Sequence, residues 1–150
     1  MGYLVASLVD TNILVYCFDS SELAKRAIAR ETLRRGAAEG VIRIPHQALI
    51  EFMSAVTSRK ANSAPMLLEE EATRQAEGFM ADFPVLYPNE RIFRTALFGM
   101  ATYRLPWFDA HLWAYAEYYG LPEILSEDFE HGRMYGTVRI RNPFVVLGLG

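Results

Sequence analysis

The chain holds 150 residues, 51% hydrophobic and 22% charged, a balance that excludes intrinsic disorder and suits one domain, residues 1–150, with a single sizeable core. Its formal net charge of −3 offers no bulk attraction to a polyanion, and no run is long and apolar enough to span a membrane. One cysteine, Cys17, excludes an internal disulfide, and with no signal-peptide pattern in view a reducing, cytoplasmic setting is expected.

The first element is an apolar run, Leu4-Val5-Ala6-Ser7-Leu8-Val9, broken by Asp10-Thr11-Asn12 before Ile13-Leu14-Val15-Tyr16 resumes it. Such a run reads as a buried strand of a parallel sheet, and the polar triplet as the start of a helix. Asp10 is therefore expected at the carboxyl end of a central strand. From Ser20-Ser21-Glu22 a helix is predicted, with Leu23, Ala27, Ile28 and Leu33 at helical spacing and Gly36 and Gly40 bracketing its end. Val41–Ile44 reads as a strand ended by Pro45. His46 to Lys60 is predicted to be a helix, with Leu49, Phe52, Met53 and Val56 as its stripe, and Ala61–Pro65 a loop.

Met66 to Met80 reads as a further helix, with Glu69-Glu70-Glu71 in its first turns, where the helix dipole favours acids. Phe83–Tyr87 is predicted to be a short strand, and Asn89–Tyr103 a helix. Leu105-Pro106-Trp107-Phe108-Asp109 turns the chain into a strongly apolar helix that Gly120 and Pro122 stop after Tyr119. Glu123–Ser126 is a predicted strand, Glu127–Gly132 a loop and Thr137–Ile140 a last strand, with Asn142-Pro143 leading into an apolar tail. Helices alternating with short strands point to an α/β fold with a mainly parallel sheet.

Four acids stand out against this frame. Asp10 and Asp128 follow strands; Glu51 lies inside an apolar helix, in Leu49-Ile50-Glu51-Phe52-Met53; Asp109 lies near the start of another. Each has an ordinary reading: a cap or dipole partner for Asp10 and Asp109, half of a salt bridge for Glu51, a turn residue for Asp128. Together they have a common one. Strand ends and the starts of the following helices share one side of a parallel sheet, so the four can converge. Close carboxylates raise one another's pKa, a divalent cation removes that penalty, and oxygen donors suit Mg²⁺ or Mn²⁺. Asn12 and Ser126 are placed to orient the ligands. His46, His111 and His131 are scattered, and no zinc spacing occurs.

These pieces resemble the PIN-domain family, and within it the VapC-like ribonucleases of type II toxin–antitoxin modules. The matching segments are Val9-Asp10-Thr11-Asn12-Ile13-Leu14, Ile50-Glu51-Phe52, Phe108-Asp109-Ala110, Ser126-Glu127-Asp128-Phe129 and the ending Val138-Arg139-Ile140-Arg141-Asn142-Pro143-Phe144. The resemblance implies a three-layer α/β/α sandwich and Mg²⁺- or Mn²⁺-dependent cleavage of RNA. It also implies a homodimer and an antitoxin partner. By the match, Asp10, Glu51, Asp109 and Asp128 are the acidic quartet and Ser126 the nearby hydroxyl. Glu127 departs from the pattern as an extra acid beside Asp128.

On this reading Asp10 and Asp109 hold the main metal, while Glu51 and Asp128 complete the site directly or through water. Arginine supplies 13 of the 15 basic residues. Arg26, Arg30, Arg34, Arg35, Arg43, Arg133, Arg139 and Arg141 are candidates to hold a single strand, and Trp107 and Tyr135 to stack on bases, against the alternatives of a solvated face and core aromatics. Two other classes stay open. One is a phosphotransferase- or phosphatase-like enzyme with Asp10 as nucleophile, for which the only lysines, Lys25 and Lys60, lie in other helices. The other is a non-catalytic binding module whose acids are structural.

Overall fold

The central strand β1 (Ser7–Val9) is buried along its whole length, with Leu8 and Val9 on opposite faces of the sheet. The computed structural model describes residues 5–59 and 63–145. After β1 come α1 (Thr11–Tyr16), α2 (Leu23–Glu39), β2 (Ile42–Pro45), α3 (His46–Thr57), α4 (Glu69–Asp82), β3 (Val85–Leu86), α5 (Glu90–Tyr103), α6 (Trp107–Tyr119), β4 (Glu123–Leu125), β5 (Met134–Tyr135) and β6 (Val138–Arg141). The sheet order is β3-β2-β1-β4-β6-β5. Every pairing is parallel except β5 with β6. Successive crossovers move outward from β1 to β2 to β3 and then return to its other side at β4. The order reverses between β1 and β4, and open α/β sheets leave a crevice beyond the strand ends at that point.

Side-chain alternation along the strands divides the core into two layers. Val9, Ile42, Ile44 and Leu125 meet Leu14, Leu33, Phe52 and Phe79 from α1 to α4. Leu8, Ile124, Val138 and Ile140 meet Ile92 and Ala96 of α5 and Leu112 and Trp113 of α6. The expected three-layer α/β/α sandwich with a mainly parallel sheet is the fold observed. Among the described residues, no helix is long and apolar enough to cross a membrane.

The boundaries differ from expectation where local chemistry overrides periodicity. Gly36 does not end α2, which runs on to Glu39 and closes at Gly40 with φ +68°. Gly36 instead lets β2 come close, since a Cβ there would lie 2.0 Å from Ile42 Cγ1. Helix α3 stops at Thr57, and the expected end at Lys60 and the turn residues Ala61 and Asn62 lie outside the described residues. Helix α4 begins at Glu69 rather than Met66, so its three glutamates fill the first turn. The strand expected over Phe83–Tyr87 shrinks to Val85–Leu86, because Pro84 has no N–H to give a ladder. The two-residue strand β5 was not expected. It pairs with β6 across the turn at Gly136 and Thr137.

Helix α6 carries Asp109, and its seat depends on one close approach. A Cβ at Gly99 of α5 would lie 2.5 Å from Trp113 Cε3. Trp113 cannot retreat, being buried with its Nε1 donating to the Tyr135 carbonyl at 2.9 Å. Gly99→Ala is therefore expected to cost about 1–3 kcal/mol by overpacking. The reading is a lower urea midpoint at unchanged slope; an unaltered midpoint would show that α5 and α6 have room to separate.

Candidate functional site

Asp10 ends β1 and caps α1, with φ −79° and ψ 157° and its Oδ1 accepting from Thr11 N at 2.7 Å. Its own N–H donates to the Leu125 carbonyl at 2.9 Å, which fixes it beside the end of β4. There the Ser126 hydroxyl donates to Asp10 Oδ2 at 2.6 Å. Asn12 Nδ2 donates to the same oxygen at 3.4 Å and to Ser126 Oγ at 3.3 Å. Ser126 Oγ also accepts from Asp128 N at 3.1 Å, so one hydroxyl ties the strand end to the loop that carries Asp128. The cap reading and the site reading of Asp10 are thus compatible.

Glu51 is half-buried and, among the described residues, pairs with no arginine. Its Oε2 accepts from Thr11 Oγ1 at 2.8 Å and its Oε1 from Gln47 Nε2 at 2.8 Å. Helix α3 is not apolar all round in the sense of being buried, because Ile50, next to Glu51, is 58% exposed. Asp109 is half-buried in the first turn of α6, and Asp128 is exposed.

Asp10 and Asp109 each feel Glu51 and Asp128. Burial drives the Asp10 carboxyl up to about 7; the Ser126 hydrogen bond opposes this, Asp128 adds to it, the Thr11 N–H opposes it and Glu51 adds to it. Asp109 is also raised, first by burial, then by Asp128 and Glu51. Two inner carboxylates thus feel the same two neighbours, and none of the four takes part in an ion pair among the described residues.

A divalent cation suits this donor set. The donors are all oxygens, each Glu51 oxygen keeps a second lone pair beside its hydrogen bond, and Asn12 Oδ1 is buried without a partner. Turning the Asn12 amide over would set that oxygen against the Asp10 carboxylate, so the orphan acceptor belongs to the arrangement. Among the described residues, no three His, Cys, Asp or Glu side chains stand close enough together to hold a metal ion as they are. The chain alone therefore leaves its like charges apart.

Glu127 is held elsewhere. It accepts from the Tyr16 hydroxyl and pairs with Lys25 at 3.0 Å. This also places the one described lysine on Glu127 rather than on Asp10. Lys60 lies outside the described residues. Of the candidate contacts to nucleic acid, Tyr135 is buried under the Arg133 guanidinium and cannot stack on a base. Arg34 and Arg133 pair with Glu31 and Glu130, Arg141 with Glu123, while Arg30 and Arg43 donate to backbone carbonyls. Cys17 is a core residue, its thiol pushed up to about 12 by burial. Sequence reasoning missed Thr11 and Gln47 as the groups holding Glu51. Their signal was available, since Gln47 lies one turn before Glu51 on the same helix face.

The fold and the acidic crevice define an α/β/α domain with a carboxylate site at the switch point of a parallel sheet. The PIN domain profile matches residues 7–136, and the chain belongs to the PIN domain family. No curated protein gives a match. Among solved structures, a toxin–antitoxin complex from Klebsiella pneumoniae matches at 18% identity and TM-score 0.64, over 91% of this chain and 97% of that one. A DNA-bound VapBC from Salmonella typhimurium matches at 15% identity and TM-score 0.68, over 93% and 98%. VapC20 of Mycobacterium tuberculosis, a Sarcin-Ricin loop cleaving toxin, matches at 15% identity and TM-score 0.62, over 81% and 89%. At these identities the likeness is one of fold.

The raised Asp10 pKa has a consequence for stability. In the unfolded chain this carboxyl loses its proton near its ordinary value of 3.8, whereas in the fold it keeps it to about 7. Folding then binds a proton between those values, so this group's ionisation erodes stability as pH rises through that window, and the full loss is present above about 7. Asp10→Asn is expected to raise the melting temperature of metal-free protein by several degrees at about pH 8 and by little at about pH 4. Equal shifts at both pH values would show that charge burial at Asp10 is not the cause.

Proposed function

We propose that the protein is a metal-dependent endoribonuclease, acting as the toxin of a toxin–antitoxin pair, within a single domain spanning residues 1–150. The observation that carries the reading is the buried carboxylate of Asp10, without an ion-pair partner among the described residues, which shares the acidic neighbours Glu51 and Asp128 with Asp109 in a PIN fold. Asp10 and Asp109 would hold Mg²⁺ or Mn²⁺, with Glu51 and Asp128 completing the site directly or through water. The cation, when bound, supplies a Lewis acid at phosphorus and lowers the pKa of water.

The chain's own residues do the positioning. Ser126 and Thr11 fix the two Asp10 oxygens, so the carboxylate cannot rotate. Thr11 and Gln47 aim Glu51 from two elements. Asp128, the most exposed of the four acids, is the group best placed to take a proton at its Oδ from an attacking water.

Support for RNA and for an antitoxin comes from the structural neighbours, which are toxin chains of such complexes, one of them cleaving the Sarcin-Ricin loop. A homodimer is supported by Leu97 and Phe98, apolar and exposed on α5. A reducing cytoplasm accords with an inert, buried Cys17.

The test is cleavage of single-stranded RNA with Mg²⁺ or Mn²⁺. Chelator is expected to abolish it. Asp10→Asn and Asp109→Asn are expected to lower it about a hundredfold or more, and Ser126→Ala about ten- to a hundredfold. Cleavage that persists in chelator, or in both aspartate variants, would overturn the assignment.

A further inference from the structure

A cavity of about 310 Å³ opens between α3 and α6, lined in part by Glu51 and therefore continuous with the acidic crevice. That volume lies at the small end of the range for ring-sized ligands. Its walls are aromatic and come from the same turn of α6 that carries Asp109. Trp107 and His111 stack with ring centroids 5.9 Å apart and planes 18° from parallel. Phe93 of α5 stands edge-on to Trp107 at 5.1 Å. Phe108 is left 66% exposed.

Two polar groups are set into these walls. Tyr115 lines the cavity; its side chain is fully buried, and its hydroxyl stands near the Gln47 backbone without a hydrogen bond of good geometry. Gln47 spends its amide on His111 and Glu51. A buried hydroxyl left unpaired is costly, so an occupant that bonds to it is favoured. No lysine or arginine is among the described residues lining the cavity, and Glu51 is acidic. An anion is therefore disfavoured, and a flat, uncharged ring with polar edges is favoured.

We propose that this cavity is a nucleobase subsite: it takes one unpaired base beside the scissile phosphate, stacked on Trp107 and reaching the Tyr115 hydroxyl with its polar edge. The proposal rests on the ribonuclease reading for its substrate class. A single strand is required, because a base inside a duplex cannot offer its face. The subsite supplies affinity through stacking, which a net charge of −3 does not supply through bulk electrostatics.

The test is a titration of the full chain carrying Asp10→Asn, so that RNA is not consumed, with short oligoribonucleotides in Mg²⁺. Trp113 is buried and hydrogen-bonded, so a change in tryptophan emission reports Trp107. Base-bearing oligomers are expected to quench it saturably, and an abasic oligomer of equal length is not. Trp107→Ala, which lacks the reporting ring and is followed by the anisotropy of a fluorescein-labelled oligomer, is expected to raise Kd about tenfold or more. Tyr115→Phe keeps the ring and is expected to change the ratio of Kd values among the four homopolymers several-fold. Equal binding of abasic and base-bearing oligomers, or Kd values indifferent to both substitutions, would overturn the subsite. So would emission that follows protein concentration instead of RNA, which would place a second copy in the cavity. Metal-dependent cleavage by the unsubstituted protein with base-indifferent binding sinks the subsite alone. Base-dependent quenching without such cleavage supports the subsite and sinks the nuclease reading.

Discussion

The structure turns on a carboxylate placed where charge is expensive. Asp10 is 8% exposed, and it stands at the end of the central strand with acidic neighbours. Burying an ion without a counter-ion costs several kcal/mol in real proteins, so the fold must compensate locally. It does so with donors from two elements, α1 and the end of β4, that meet only because the sheet order reverses between β1 and β4. Thr11 N comes from the start of α1, Ser126 Oγ from the end of β4, and Asn12 Nδ2 from the first turn. The Asp10 N–H closes the arrangement by donating to Leu125 O. Topology and site are therefore one feature, since moving either strand end would leave the carboxylate unsupported.

The ion pairs among the described residues lie elsewhere. Arg34, Arg74, Arg94 and Arg133 pair with glutamates three or four residues away on exposed surfaces, where each pair adds little to stability. Arg141 joins Glu123 on the sheet, and Ser7 donates to the same carboxylate at 2.7 Å, which satisfies a buried acid in the ordinary way. Lys25 and Tyr16 hold Glu127, the ring of Tyr16 lying edge-on to the buried Phe144. The contrast is informative. Glu123 and Glu127 are neutralised by partners within the chain, while among the described residues Asp10, Glu51, Asp109 and Asp128 receive only uncharged donors or none. A chain that pairs Glu123 and Glu127 while leaving these four without a cation among the described residues is what the metal-site proposal requires.

How much of this was legible follows from the kind of signal each residue carries. Asp10-Thr11-Asn12 was readable because an apolar run broken by capping residues marks a strand-to-helix junction. Asp128 was readable from the same junction after Ile124 and Leu125. The layers were readable because helices and strands alternate. By contrast, β5 has two residues and no pattern of its own; it exists because β6 offers a ladder and Gly136, at φ +63°, permits the turn. Burial of Glu123 was invisible, since its partner Arg141 is supplied by a parallel neighbour. The apolar stretches around Glu51 and Asp109 misled in one respect. Periodicity counts apolar residues but does not say which are covered, and Ile50 and Phe108 are largely exposed.

Helix α6 shows why that exposure and the acid belong together. In Trp107-Phe108-Asp109-Ala110-His111, residues four apart share a face, so Trp107 and His111 stack while Asp109 turns toward the crevice. Ala110 and Trp113 anchor the opposite side in the core, and Gly99 lets α5 close on Trp113. One helical turn thus fixes an acidic edge and an aromatic edge at a set angle, and Gln47 of α3 bridges them by touching His111 on one side and Glu51 on the other. On the nucleobase-subsite proposal, a single strand would set a phosphate at the acidic edge through a bound cation and a base at the aromatic edge. Neither a free anion nor a purely apolar molecule does so, because the first finds no cationic side chain in the aromatic cavity and the second finds nothing to pair with the Tyr115 hydroxyl.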